Sequence, residues 1–290
     1  MSISTGLIAL VALGYMAILF AIAFYGDRLG TNVSPRMRST VYSLSLAVYC
    51  SSWTFFGSVG QAAEQIWSFL PIYIGPILLL TFAPWVLKKM VIISKQENIT
   101  SIADFIAARY GKSQRLAVVV TLIAMVGVLP YIALQLKGIV LGVNLLTGTS
   151  PNSTGMHAQD TALIVTVALA LFTILFGTRK LDVTEHHRGL MFAIAFESLV
   201  KLMAFVAIGL FVIYGLYNGF GDLWQQAKQA PKLDEYWSEA TNWPAMIVQS
   251  CVAMMAIYTL PRQFHVTVVE NNDYADLRIA RWVFPAYLLI

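Results

Sequence analysis

Two stretches of this 290-residue sequence place polar groups where an apolar run should continue. The first is Cys50-Ser51-Ser52-Trp53-Thr54, in the middle of a run of bilayer length. Ser and Thr offer the backbone alternative hydrogen bonds, so this cluster suits an unwound turn where a solute is held. Small polar residues also let helices pack closely, and these residues alone leave both explanations open. The second stretch is Tyr258-Thr259-Leu260-Pro261-Arg262-Gln263-Phe264-His265. Pro261 lacks a backbone donor and disfavours helix at the residue before it, which predicts a break near Tyr258 to Leu260. Arg262 and His265 then face a substrate carboxylate or a cytoplasmic water path. Alternatively, the arginine snorkels to the interface and the histidine is satisfied locally.

Three ionisable residues, Lys137, Glu197 and Lys201, lie inside apolar runs, where each requires a partner or water. Glu197 and Lys201 are spaced i,i+4 with the acid first, which predicts a structural ion pair on one helix face. Gln135 and Lys137 point in different directions on a helix, so Gln135 is expected to face the bundle. Catalysis finds no support. His157, His186, His187 and His265 do not supply two ligands per helix for haem, and no His-Glu-x-x-His pattern occurs. Cys50 and Cys251 sit in apolar runs and build neither a disulfide framework nor a zinc site. No cofactor is expected from these residues alone, and no enzyme within them.

The elements that must position these groups follow from composition. Hydrophobic residues make up 58%, charged residues only 12% against roughly 25% in soluble domains, and mean hydropathy is +0.69. A water-soluble globule is excluded. A bilayer core about 30 Å thick needs about 20 apolar residues per helix. Seven complete spans are predicted: Thr5 to Tyr25, Thr40 to Gly60, Trp67 to Leu87, Leu116 to Leu146, Thr161 to Phe176, Gly189 to Leu216 and Trp243 to Leu260. Part of an eighth starts at about Trp282. The first run has no basic segment before it and no small-residue cleavage pattern after it, so it is read as a retained helix.

Fifteen of the nineteen Lys and Arg residues fall in alternate connections, and the opposite connections hold only Lys228 and Lys232. The positive-inside bias then puts the N-terminus outside and the basic connections in the cytoplasm. Nine residues follow Arg281, reaching about 13.5 Å as helix, less than half the hydrocarbon thickness. The expectation is a fragment of a longer protein.

Between spans three and four, the segment from Glu97 to Gly111 predicts a short amphipathic helix at the membrane surface. Ser101 caps it with Asp104 as partner, and Gly111 stops it. The same segment resembles the sodium:solute symporter family, in which Thr-x-x-Asp-Phe followed by Arg-Tyr-Gly occurs in this connection. The resemblance extends to Ala47 to Gly57, to Tyr131-x-x-x-Gln135-Leu136, and to Tyr258-x-x-Pro261-Arg262-Gln263-Phe264-His265. Leu260 to Val266 and Val269 to Asn271 are most similar to the symporter-like sensor module of CbrA-type bacterial histidine kinases.

The resemblance implies an all-α membrane bundle of five-plus-five inverted repeats behind a leading helix at 5–25. One symporter-like domain then covers 1–290, with a first repeat at about 40–216 and a second begun at about 243–290 and truncated. It implies binding where the first helix of each repeat breaks near the midplane, here spans two and seven, which should be adjacent and crossing. The backbone carbonyls of Ala47 and Cys50 would then hold sodium. Tyr49 stands where some symporters carry an acid linked to sodium, which weakens ordinary ion coupling. Tyr49, Ser51, Trp53, Gln135, Tyr258, Arg262 and Gln263 would line the site of a small polar solute such as an amino acid, histidine first. The intact protein would be a nutrient-sensing kinase acting on a response regulator, with the kinase outside this chain. A plain sodium- or proton-coupled transporter and a non-transporting membrane anchor are the alternatives.

Overall fold

A computed structural model describes residues 4–29, 33–148, 188–229 and 242–290, together with Leu163, Thr166, Val167 and Ala170. The fifth predicted span, Thr161 to Phe176, lies mostly outside the described residues, as do His157, His186 and His187. The described residues form helices and connecting turns, with no strand among them. Helix α1 is Thr5–Leu29, α2 Pro35–Ser45, α3 Ser52–Glu64, α4 Leu70–Phe82, α5 Pro84–Gln96, α6 Ile102–Arg109 and α7 Gln114–Thr147. Helix α8 is Arg188–Phe211, α9 Phe220–Lys228, α10 Trp243–Thr259, α11 Pro261–Phe264 and α12 Leu277–Leu289.

Among the described residues, three unbroken helical segments are long and apolar enough to cross a membrane: Gly6–Leu29, Gln114–Thr147 and Arg188–Leu216. The chain is therefore an all-helical, multi-pass membrane protein. At 34 residues α7 reaches about 51 Å, longer than the hydrocarbon core needs, so it extends past it or tilts.

The third predicted span differs most from expectation. Instead of one rod over Trp67 to Leu87, α4 ends at Phe82 and α5 starts at Pro84, bent by 76°. Ala83 leaves helical geometry (φ −124°, ψ 41°), because the proline ring crowds the preceding residue's helical conformation. The apolar run of the sequence continues through this corner, which hides it from a hydropathy count.

Close packing follows the small residues, as association inside a bilayer requires. Helix α4 packs on α10, and α8 packs on both α1 and α2. A Cβ on Gly75 of α4 would strike the Ser250 carbonyl of α10, and one on Gly189 of α8 would strike the Ala23 carbonyl of α1. The core gathers Tyr42, Leu46, Ala47, Leu80, Ile257, Phe264 and Phe284. At one end of the molecule, three of the predicted basic connections converge. Arg38 pairs with Asp273 at 2.9 Å and Asp276 at 3.0 Å, Lys95 donates to the Asn272 carbonyl at 2.7 Å, and Lys112 pairs with Glu97 at 3.1 Å.

Helix α6 is the predicted surface helix. The Ser101 hydroxyl accepts from the Asp104 amide at 3.1 Å. The Asp104 carboxylate takes the Thr100 hydroxyl at 2.7 Å rather than closing a capping box. Gly111 ends the segment at φ 67°. Phe105 meets the buried Phe264 at 5.6 Å between ring centroids, so α6 is seated against α11.

Candidate functional site

The second predicted span is two helices with a gap between them. Helix α2 tightens into a 3-10 turn at Leu46–Tyr49, and Cys50 (φ −77°, ψ 117°) and Ser51 (φ −122°, ψ −170°) are extended. Helix α3 restarts at Ser52, with reciprocal bonds between Ser51 and Thr54 closing its first turn. The backbone bonds lost at the gap are recovered from other elements, as burial in a membrane demands. The Leu46 carbonyl accepts from Gln263 Nε2 at 3.2 Å, and the Ala47 carbonyl accepts from the Cys50 amide at 2.9 Å. The Cys50 carbonyl accepts from Lys201 Nζ at 3.2 Å. At the other lip, Gln135 Oε1 of α7 accepts from both the amide and the hydroxyl of Ser52, at 3.1 and 2.6 Å.

The seventh predicted span is a single helix over nearly its whole length, and its break falls at the end, where the Pro261 ring crowds Leu260. Helix α10 ends at Thr259, Leu260 turns extended (ψ 123°), and the chain restarts at Pro261 with a 58° bend. Gln263 and Phe264 plunge into the core at 2% and 0% exposure. The segment after the second break touches the first divided span: Gln263 reaches Leu46, and the Tyr42 hydroxyl donates to the Thr267 carbonyl at 2.6 Å.

Beside the first gap opens a cavity of about 960 Å³. Cys50, Gln135, Glu197, Lys201, Arg262 and the hydroxyl residues from Ser51 to Ser58 contribute its polar wall, and the rest is largely aliphatic and aromatic. Glu197 and Lys201 form the i,i+4 pair at 2.6 Å. Arg262 donates to the Tyr131 hydroxyl at 2.6 Å and lies 5.2 Å from that ring's centroid. The wall thus carries two cations, one carboxylate and an amide, a set that complements a solute bearing both charges.

The predicted solute contacts divide into two groups. Ser51, Gln135 and Arg262 reach the cavity, whereas Tyr49, Trp53, Tyr258 and Gln263 do not line it. The Tyr49 hydroxyl donates to the Ile72 carbonyl at 2.9 Å, fastening the 3-10 turn to α4. Trp53 lies along its own helix over Gly57, which is why no Cβ fits there. Tyr258 is 7% exposed in the core, and Gln263 is spent on Leu46 and Thr267. His265 pairs with the buried Glu270 at 3.1 Å, and Lys137 is exposed. Ser52, part of the predicted polar cluster, anchors Gln135. One group was not assigned a place at the cavity by sequence: the Glu197–Lys201 pair faces it rather than only bracing α8. The i,i+4 spacing signalled the pair itself, but nothing in one dimension signalled its second partner, the Cys50 carbonyl. No group of three or more His, Cys, Asp or Glu suited to a metal occurs among the described residues.

Compared with known proteins, the chain is similar to the uncharacterized symporter YhjB of Bacillus subtilis (strain 168). It is 25% identical to that protein over 255 residues, which is 86% of this chain and 48% of the relative. The chain therefore spans about half the length of the curated relative it matches. No family model and no solved structure matches it.

Proposed function

We propose that this chain is the solute-binding part of a symporter-type membrane protein, and that its solute is a small zwitterion of the amino-acid class. The observation that carries the proposal is the gap at Cys50–Ser51 opening onto a cavity whose wall holds charges of both signs. A transporter-like role is supported by the likeness to a protein named as a symporter. Arg262 offers a planar cation to a carboxylate, Glu197 offers an acceptor to an ammonium, and the aliphatic wall takes the side chain. Five-plus-five repeats, seven spans and an external N-terminus in a bacterial inner membrane remain part of this proposal. The test is binding across an amino-acid panel by the full-length protein in lipid nanodiscs, histidine first. Micromolar binding of one or a few amino acids is expected, and a panel without any binder overturns the assignment.

For the intact protein we propose a sensory role, with solute occupancy passed to a cytoplasmic kinase and its response regulator. What supports it is the Leu260 to Val266 and Val269 to Asn271 runs, which resemble the sensor module. The first of these runs carries the second gap and the Gln263 contact to the 3-10 turn after α2, so a ligand-driven shift there would reach the cytoplasmic end. Phosphotransfer by the intact protein that responds to the bound amino acid is the expected result. Uptake with no kinase activity would instead favour the plain transporter, and neither uptake nor binding would leave the anchor.

A further inference from the structure

We propose that Lys201 is a tethered cation: its ammonium occupies the cation position at the gap between α2 and α3, so this gap takes no metal ion. The inference deepens the solute-binding assignment above and rests on it only for the site's purpose, since its geometry stands independently.

Between the end of α2 and the gap, the carbonyls of Leu46, Ala47 and Cys50 each have a different kind of donor. The Leu46 carbonyl receives a neutral side-chain amide, and the Ala47 carbonyl receives a backbone amide. The Cys50 carbonyl cannot receive the helical partner four residues on, because the Thr54 amide bonds the Ser51 carbonyl at 3.0 Å. Its partner is the Lys201 ammonium at 3.2 Å, the one charged donor on these three oxygens among the described residues.

A simple structural pair does not account for that contact. Lys201 already meets Glu197 at 2.6 Å on its own helix, and an i,i+4 pair is complete without reaching another element. The ammonium instead bridges the Glu197 carboxylate and a carbonyl released by an unwound turn. Two hard oxygen ligands, one of them anionic, are the kind of donors an alkali cation would use. A metal ion approaching the Cys50 oxygen would have to share it with a fixed positive charge.

The position of the ammonium is built rather than incidental. Helix α8 packs along α2 and its 3-10 turn, and the buried Ser45 hydroxyl donates to the Met191 carbonyl at 2.9 Å to pin the two together. On the other flank, the Tyr287 hydroxyl of α12 donates to the Ser198 carbonyl at 2.8 Å. Lys201 therefore reaches the gap from a braced helix.

The test uses the full-length protein in nanodiscs, without solute, and compares thermal midpoints in sodium chloride and choline chloride at equal ionic strength. Wild type and Lys201→Arg are expected to show the same midpoint in both salts. Lys201→Ala and Lys201→Met should acquire a sodium-dependent rise of about 3 °C, as expected for a ligand that binds only the folded state. Propylammonium should raise Lys201→Ala, which leaves room for it, and leave Lys201→Met unchanged. A sodium-dependent rise in wild type overturns the proposal. So does a folded neutral variant indifferent to both cations, or neutral variants that neither sodium nor propylammonium brings to fold. None of these measurements involves a solute, so failure of the amino-acid panel and failure of the tethered cation are separate results.

Discussion

The two gaps in this bundle are made by opposite means. At Leu260–Pro261 covalent geometry bends the chain: the proline ring removes a donor and constrains its predecessor, and the following residues dive into the core. At Cys50–Ser51 no proline is present, and the gap persists because groups from α7, α8 and α11 satisfy its backbone. One gap is followed directly by core residues, Gln263 and Phe264, and the other faces a cavity with charged walls. The contrast teaches that a local instruction suffices to bend a membrane helix, whereas a gap able to receive a guest depends on distant partners.

That contrast can be broken most severely at Phe264. It is fully buried against Phe105, and Phe264→Ala should cost about 3 kcal/mol of stability, because an emptied core position loses packing contacts that lipid does not replace. Unfolding in mixed micelles measures it, and solute affinity of the surviving folded fraction should be unchanged. A neutral result would mean that the second gap is not held by its core.

Two residues earlier the expected loss is of affinity rather than stability. Arg262→Ala should weaken amino-acid binding about tenfold or more, equivalent to about 1.4 kcal/mol, with little change in thermal midpoint. Arg262→Lys should recover only part, since an ammonium does not reproduce the planar fork on Tyr131. Titration calorimetry on the two variants separates charge from geometry.

Gln135→Ala tests the other lip of the open gap. The change frees the Ser52 amide and hydroxyl and should cost about 1 kcal/mol, with faster hydrogen exchange confined to the first turn of α3. Exchange that spreads equally to α11 would show that the two gaps open as one unit.

The smallest effect lies outside the membrane-spanning segments. Asp273 is held below the ordinary carboxylate range, first by the Ala275 backbone amide at 2.9 Å and further by the Arg38 guanidinium. A carboxyl depressed in the folded state contributes stability above its unfolded value of about 3.9, and the contribution is lost as pH falls through the lower folded value. With the side chain 39% exposed, Asp273→Asn should remove only a few tenths of a kcal/mol, about what screened surface pairs contribute. The difference between variant and wild type should be constant near neutrality and vanish in acid.

Much of this organisation can be read in one dimension. The long apolar runs over α1, α7 and α8 follow from hydropathy alone, because a bilayer accepts only segments that satisfy their own backbone. The Pro261 bend follows from ring sterics, the Ser101 cap from a side chain that reaches its neighbour's amide, and the Glu197–Lys201 pair from helical spacing. Each depends on atoms a few residues apart.

What only the tertiary structure decided involves longer separations. The corner at Ala83–Pro84 lies within a run whose hydropathy does not change, so composition conceals it. Tyr49 and Gln263 look like site residues by type and position, yet packing turns them to the carbonyls of Ile72 and Leu46. Lys201 stands 151 positions from the oxygen it meets. The sequence specifies that a charge inside an apolar run must have partners; which oxygens serve is set by how α8 seats against α2, a choice made by side-chain shape and close backbone approach across the bundle.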